Sequence, residues 1–197
     1  MSSLPIEKVY AYLSAPANSG LDGEISRCLE EIAGLAHFRY SYKFFSDPPE
    51  FLLKEPYLSY LKGSTGVILA VMTLGGEVDK KIKFLQRTDA SKAVIYDAAA
   101  SAYLEFLSDE YEKSLGENLS YRFCPGYGGS DVKDLKHVFG ILKPEKIGVT
   151  LSDAFYILPA KSMAGIIAVG GSVEKSCKGC VISKNCKYLK GGIRCYD

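Results

Sequence analysis

The sequence predicts an α+β fold with a mainly antiparallel, twisted sheet and flanking helices. Two strand-like runs fall early, at residues 37–45 and 65–73, and three fall late, at 146–150, 154–158 and 163–169. The helical stretches between them lack the strict strand–helix alternation that builds a parallel sheet. A chain of 197 residues, 47% of them hydrophobic, is long enough to bury one substantial core and carry a short appendage. Residues 1–170 are expected to form that domain and residues 171–197 a small cysteine-rich tail.

Each element has a local cause. Leu21, Ile25, Cys28, Ile32 and Leu35 recur at helical spacing, which places Cys28 on a buried face. From His37 to Phe45 the pattern alternates, with Phe38, Tyr40, Tyr42 and Phe44 on one face of a half-buried strand. Pro48, Pro49 and Pro56 interrupt the next stretch, and Thr65–Thr73 is an unbroken apolar, β-rich run suited to a central strand. Gly75-Gly76 ends it; a simple turn is the favoured reading over a phosphate site, because no full Gly-x-Gly-x-x-Gly pattern follows. Val78, Ile82 and Leu85 mark a short helix. Thr88 is placed to cap a long helix running to about Lys113, whose alanine-rich middle admits close approach of a backbone or a ligand. Asp97 and Ser101, four residues apart, project from one face of it. Ser130 is expected to cap an amphipathic helix through Leu142.

Composition excludes several partner classes. With 24 Lys and Arg against 23 Asp and Glu, the net charge of +1 provides no broad field for nucleic acid or an anionic membrane. The apolar runs at Val67–Leu74 and Met163–Val169 are well short of the ~20 residues that span a bilayer. Met1-Ser-Ser-Leu-Pro-Ile-Glu lacks the features of a signal peptide, so a cytoplasmic location is expected.

Two segments carry chemistry. In Arg122-Phe-Cys-Pro-Gly-Tyr-Gly-Gly129, Pro125 fixes its own φ and Gly126 tolerates a positive one, which predicts a tight turn presenting the peptide groups of Cys124 and Tyr127. Arg122 offers a planar fork for a carboxylate and Tyr127 a ring face for a heterocycle or a sulfonium. A plain surface turn with Arg122 in an ion pair is the competing reading. The second segment is Cys177-x2-Cys180-x5-Cys186-x8-Cys195, set among Lys175, Lys178, Lys184, Lys187, Lys190 and Arg194. Four thiolates suit one iron–sulfur cluster or one tetrahedral zinc, and the surrounding cations offset their charge. In a reduced compartment metal binding is a better account of them than disulfides.

From Thr73 to Val169 the chain resembles the activation domain of cobalamin-dependent methionine synthase. The resemblance rests on the Arg122–Tyr127 turn, on Ser152-Asp-Ala-Phe-Tyr-Ile-Leu-Pro159, on Gly75-Gly76-Glu77-Val78-Asp79 and on the helix bearing Asp97, all in that domain's order. It implies an activation-domain fold and a pocket for S-adenosylmethionine. Arg122 would bind the methionyl carboxylate, Cys124, Gly126 and Tyr127 the adenosyl part, and Asp97 or Ser101 the amino group. Ser101 stands where the family has an acidic residue, and no equivalent is found for the family's late tyrosine or early aspartate.

The implied role is that of an activation subunit, not a complete enzyme. It would dock on a partner such as methionine synthase or another corrinoid protein, help reduce inactive cob(II)alamin, and trap it by methyl transfer. Cobalamin would be held by that partner, since His137 lies on an amphipathic helix with the wrong spacing for a cobalt ligand. Reactivation takes an electron, which favours a [4Fe–4S] cluster over zinc on Cys177, Cys180, Cys186 and Cys195 and implies a donor such as ferredoxin or flavodoxin. Two rival readings stay open: a redox adaptor that docks without S-adenosylmethionine, and a non-catalytic interaction module with structural zinc.

Overall fold

The computed structural model describes residues 4–17, 19–116 and 118–171. The tail cysteines Cys177, Cys180, Cys186 and Cys195 therefore lie outside the described residues. The chain folds as α+β, in the order α1 (Ile6–Leu13), α2 (Asp22–Leu35), β1 (Arg39–Phe45), α3 (Tyr57–Tyr60), β2 (Gly66–Thr73), α4 (Gly76–Thr88), α5 (Ala90–Lys113), α6 (Leu135–Leu142), β3 (Thr150–Leu151), β4 (Ile157–Leu158) and β5 (Ser162–Val169).

The main sheet is antiparallel, in the order β1-β2-β5. Every residue of β2 is buried, which is why Thr65–Thr73 reads as a continuous apolar run. Successive side chains leave a strand on opposite faces. Ile68, Ala70 and Met72 meet a layer built from α1, α2, α4 and α5, while Val67, Leu69 and Val71 meet α3 and α6. The β1 register pairs Tyr40 with Met72 and Phe44 with Ile68, so its aromatic stripe lies on the helix-rich side.

α5 crosses that side, and Ala93, Ala98, Ala99, Ala100 and Ala102 are all buried. Their small side chains let α1, α2 and α4 pack closely around it. Neighbouring helices thus account for the alanine-rich middle.

Four local expectations are corrected. Thr88 does not cap α5; it ends α4, donating from its hydroxyl to the Phe84 carbonyl, and Asp89 caps instead by accepting from the Lys92 N–H at 3.0 Å. Ser130 does not cap α6. Asp131 caps the 3-10 turn Val132–Asp134 that leads into it, while Ser130 closes the preceding turn. Residues 144–147 form a 3-10 turn in place of the start of a strand, ended by Gly148 at φ +74°. β3 and β4 are two residues each and pair only with one another, outside the main sheet.

Candidate functional site

The free edge of β5 is covered by residues 118–123. Ser120 and Phe123 donate their N–H groups to the Ala168 and Ile166 carbonyls, and the Ile166 N–H returns to Phe123. Bridges pair Leu119 with Val169 and Phe123 with Ile166, five residues on one side against four on the other. The extra residue makes a bulge. Buried Tyr60 fills the gap, its hydroxyl donating to the Ile166 carbonyl at 3.1 Å and accepting from the Ala168 N–H at 3.1 Å. Burial pushes that phenol's pKa up.

This edge segment aims Arg122 across β5 toward α5. Gly165 makes the crossing possible, because a Cβ there would lie 3.2 Å from Cγ and Cδ of Arg122. Beyond it the guanidinium meets two carboxylates, Nη1 to Glu112 at 2.5 Å and Nη2 to Asp109 at 2.6 Å. The side chains of Arg122 and Glu112 are 10% and 11% exposed, so this pair is largely desolvated. Burial alone would weaken the arginine's charge, but hydrogen bonding and attraction to Glu112, then to Asp109, outweigh it and raise its pKa. Tyr40 completes the cluster, donating to Glu112 at 2.9 Å while its ring stacks on Tyr111 at 4.4 Å. Burial, followed by the Glu112 charge, drives the Tyr40 pKa far above the ordinary value.

After Arg122 the chain enters the expected turn. Gly126 has φ +93°, and the Tyr127 N–H donates to the Cys124 carbonyl at 3.1 Å. The Gly126 N–H donates to Ser130 Oγ at 3.0 Å, and the Tyr127 carbonyl accepts from the Ser130 hydroxyl at 2.7 Å. The turn therefore uses these polar groups to hold its own shape. Its outward feature is the Tyr127 ring, 74% exposed. Cys124 is half-buried.

Asp97 and Ser101 are brought together, and by a residue that sequence reasoning missed. Lys161, 8% exposed, places its Nζ 2.9 Å from Asp97 and donates to Ser101 Oγ at 2.8 Å. Asp79 fixes the backbone leading into this lysine by accepting from the N–H groups of Ala160 and Lys161. Asp97, Ser101, Glu105 and Asp109 form a ridge at four-residue spacing along α5, and Lys161, Lys8 and Arg122 meet it from three other segments. Ser101 and Asp109 are eight residues apart, about 12 Å along the axis. The two halves of the candidate site are thus separate clusters on one helix. Glu112 and Asp109 were also unforeseen; a carboxylate pair at a helix end shortly before an arginine was the available signal.

Elsewhere, His137 is exposed and stacks on Phe51 at 5.0 Å. Gly75 takes φ +85° and donates its N–H to Thr73 Oγ1, and Glu77 and Asp79 occupy the first turn of α4, an arrangement hostile to phosphate. Among the described residues no group of three or more His, Cys, Asp or Glu converges to hold a metal, and no helix is long and apolar enough to cross a membrane.

The layers, the edge-covering segment and the long helix define a fold seen before, that of a reactivation domain. The crystal structure of the MetH reactivation domain bound to AdoHcy superposes with a TM-score of 0.55 at 12% sequence identity, covering 97% of this chain and 84% of that one. At that identity the likeness is one of fold. No family model matches the chain, and no curated protein matches it in sequence.

Proposed function

We propose that this protein assists the reductive reactivation of a corrinoid-dependent methyltransferase, as an accessory subunit that docks on the cobalamin-carrying partner and takes S-adenosylmethionine as methyl donor. The observation that carries the reading is the Arg122–Tyr127 turn, set on the edge of β5 against the acidic end of α5, within a fold shared with a reactivation domain described as bound to AdoHcy. The exposed Tyr127 ring supplies a face for adenine or for the sulfonium. Arg122 and the peptide groups of Cys124 and Gly126 would position the ligand at this turn, while Asp97 and Ser101 belong to the separate Lys161 cluster, about 12 Å along α5, and would act only on a ligand that reaches it.

The electron would come from a donor such as ferredoxin or flavodoxin. A [4Fe–4S] centre on Cys177, Cys180, Cys186 and Cys195 would supply the redox chemistry, with zinc as the alternative. Iron, sulfide and zinc analysis after anaerobic purification tests this part. About four iron and four sulfide per chain support it, whereas stoichiometric zinc resistant to iron–sulfide reconstitution removes the relay.

A second reading has specific support. Arg122 and Lys161 both have anionic partners within the protein, so a ligand carboxylate or ammonium must share or displace them. This favours a redox adaptor that docks and delivers an electron without S-adenosylmethionine. Incubation with a cob(II)alamin-loaded methionine synthase fragment and a reductant separates the two. Methylcobalamin formed only when both this protein and S-adenosylmethionine are present supports the first. Reduction that is indifferent to S-adenosylmethionine supports the adaptor.

A further inference from the structure

The short helix α3 follows the proline-interrupted stretch 48–56 and sends two buried tyrosines to the site. Tyr60 holds the segment that precedes the Arg122–Tyr127 turn, through the bulge on β5. Tyr57 reaches both ends of the turn itself. Its ring meets the Phe123 ring edge-on at 5.4 Å, where the chain enters the turn. Its hydroxyl donates to Asp134 at 2.9 Å, where the chain leaves the turn for α6. Tyr57 is fully buried and Asp134 is 3% exposed, so this bond is made away from water. Burial, reinforced by the bond to Asp134, raises the pKa of the phenol and keeps it a donor.

The turn is moulded on the same two ends. Gly128, at φ +59°, lies so close to the Phe123 ring that a Cβ would fall 2.8 Å from its Cζ. Gly126 rests on Val132, where a Cβ would lie 3.4 Å from the valine Cβ, and Val132 opens the 3-10 turn that Asp134 ends. Ten residues separate Phe123 from Asp134, and three of them, Gly126, Gly128 and Gly129, are glycines at positive φ. Such a segment has much freedom to lose when a ligand orders it. Holding both of its ends removes that freedom in advance, so binding does not bear the ordering cost.

We propose that Tyr57 is a positioning residue for the ligand-binding turn, fixing Phe123 and Asp134 relative to one another so that the turn is set, with the Tyr127 ring outward, before a ligand arrives. The inference rests on the reading that this turn receives S-adenosylmethionine. Lys54 assists from the solvent side, its Nζ 2.8 Å from Asp134 and its side chain 51% exposed.

Amide hydrogen exchange of the full chain tests it, with Tyr57→Phe as the variant, because phenylalanine keeps the ring on Phe123 and removes only the hydroxyl. The Gly126 and Tyr127 N–H groups, which donate within the turn, are expected to exchange about tenfold faster, a larger factor than any amide of β2 or β5 shows. Calorimetry of the same variant is expected to show S-adenosylmethionine bound about three- to tenfold more weakly. Tyr127→Ala is expected to weaken binding while leaving the turn amides at the parent rate. A residue that only stabilises the fold speeds exchange in the sheet at least as much as in the turn, and that result overturns the inference. So does a loosened turn with unchanged affinity. Lys54→Ala is expected to loosen the same amides by a smaller factor, and the same comparison with the sheet applies to it should Tyr57→Phe fail to fold. If the parent protein gives no heat with S-adenosylmethionine, the methyl-donor reading falls, and the exchange factors alone decide whether Tyr57 sets the turn.

Discussion

The two halves of α5 solve different problems on one continuous helix. In residues 93–102, Ala93, Ala98, Ala99, Ala100 and Ala102 are buried on the side that meets α1, α2 and α4, where backbones come close because little side chain intervenes. Residues 105–112 carry Glu105, Asp109 and Glu112, which gather Lys8, Arg122 and Tyr40 from distant segments. The first half is held mainly by shape, with the Asp97–Lys161 pair on its outer flank, and the second by charge. Non-directional packing tolerates sequence variation, whereas a desolvated ion cluster depends on each member, so the second half fixes the orientation of the turn that follows Arg122.

The largest expected effect breaks the charged half. Arg122→Ala leaves Glu112 buried without its cation and should cost about 3–5 kcal/mol in urea unfolding. Adding Glu112→Gln should recover part of that loss, as relief of the unpaired charge requires. Asp109 is more exposed, so Asp109→Asn should cost at most about 1 kcal/mol. For this reason Arg122→Ala cannot serve as a test of ligand binding alone.

The buried alanine face should respond to volume. Ala99 is fully buried, and Ala99→Leu should lose about 1–3 kcal/mol by overpacking. Tyr96, on the same half, has a buried hydroxyl without a hydrogen-bond partner among the described residues. Tyr96→Phe should therefore gain about 1 kcal/mol, seen as a rise in Tm. At the start of the helix Asp89→Ala should lose about 1 kcal/mol, and Thr88→Ala should lie within about 0.5 kcal/mol of the parent. A larger loss at Thr88 than at Asp89 would reverse the assignment of the cap.

The scaffold was legible where a single physical pattern dominated. Continuous apolarity marked β2 as central, and helical spacing placed Val78, Ile82, Leu85 and Cys28 in the core. Caps were misplaced by one residue because Thr88-Asp89 and Ser130-Asp131 each offer two capable side chains in succession, and only the folded backbone decides between them. The edge segment 118–123 was not legible, since its partner strand is more than 40 residues away and a bulge interrupts its alternation. At the candidate site the turn could be read from Pro125 and Gly126. Its counter-charges could not, because Glu112 and Lys161 look like ordinary solvated charges until packing buries them. Gly165 in mid-strand was the overlooked sign that another chain crosses there.

The account's central claim is tested most directly at Tyr127, because that ring is exposed and lies outside the ion cluster that holds the fold. Isothermal calorimetry of the full chain should show saturable binding of S-adenosylmethionine, and Tyr127→Ala should weaken it about tenfold or more, the loss expected when one base–aromatic stack is removed, with Tm unchanged. No heat from the parent protein at millimolar S-adenosylmethionine, or equal affinity in Tyr127→Ala, would contradict the claim that this turn receives the methyl donor.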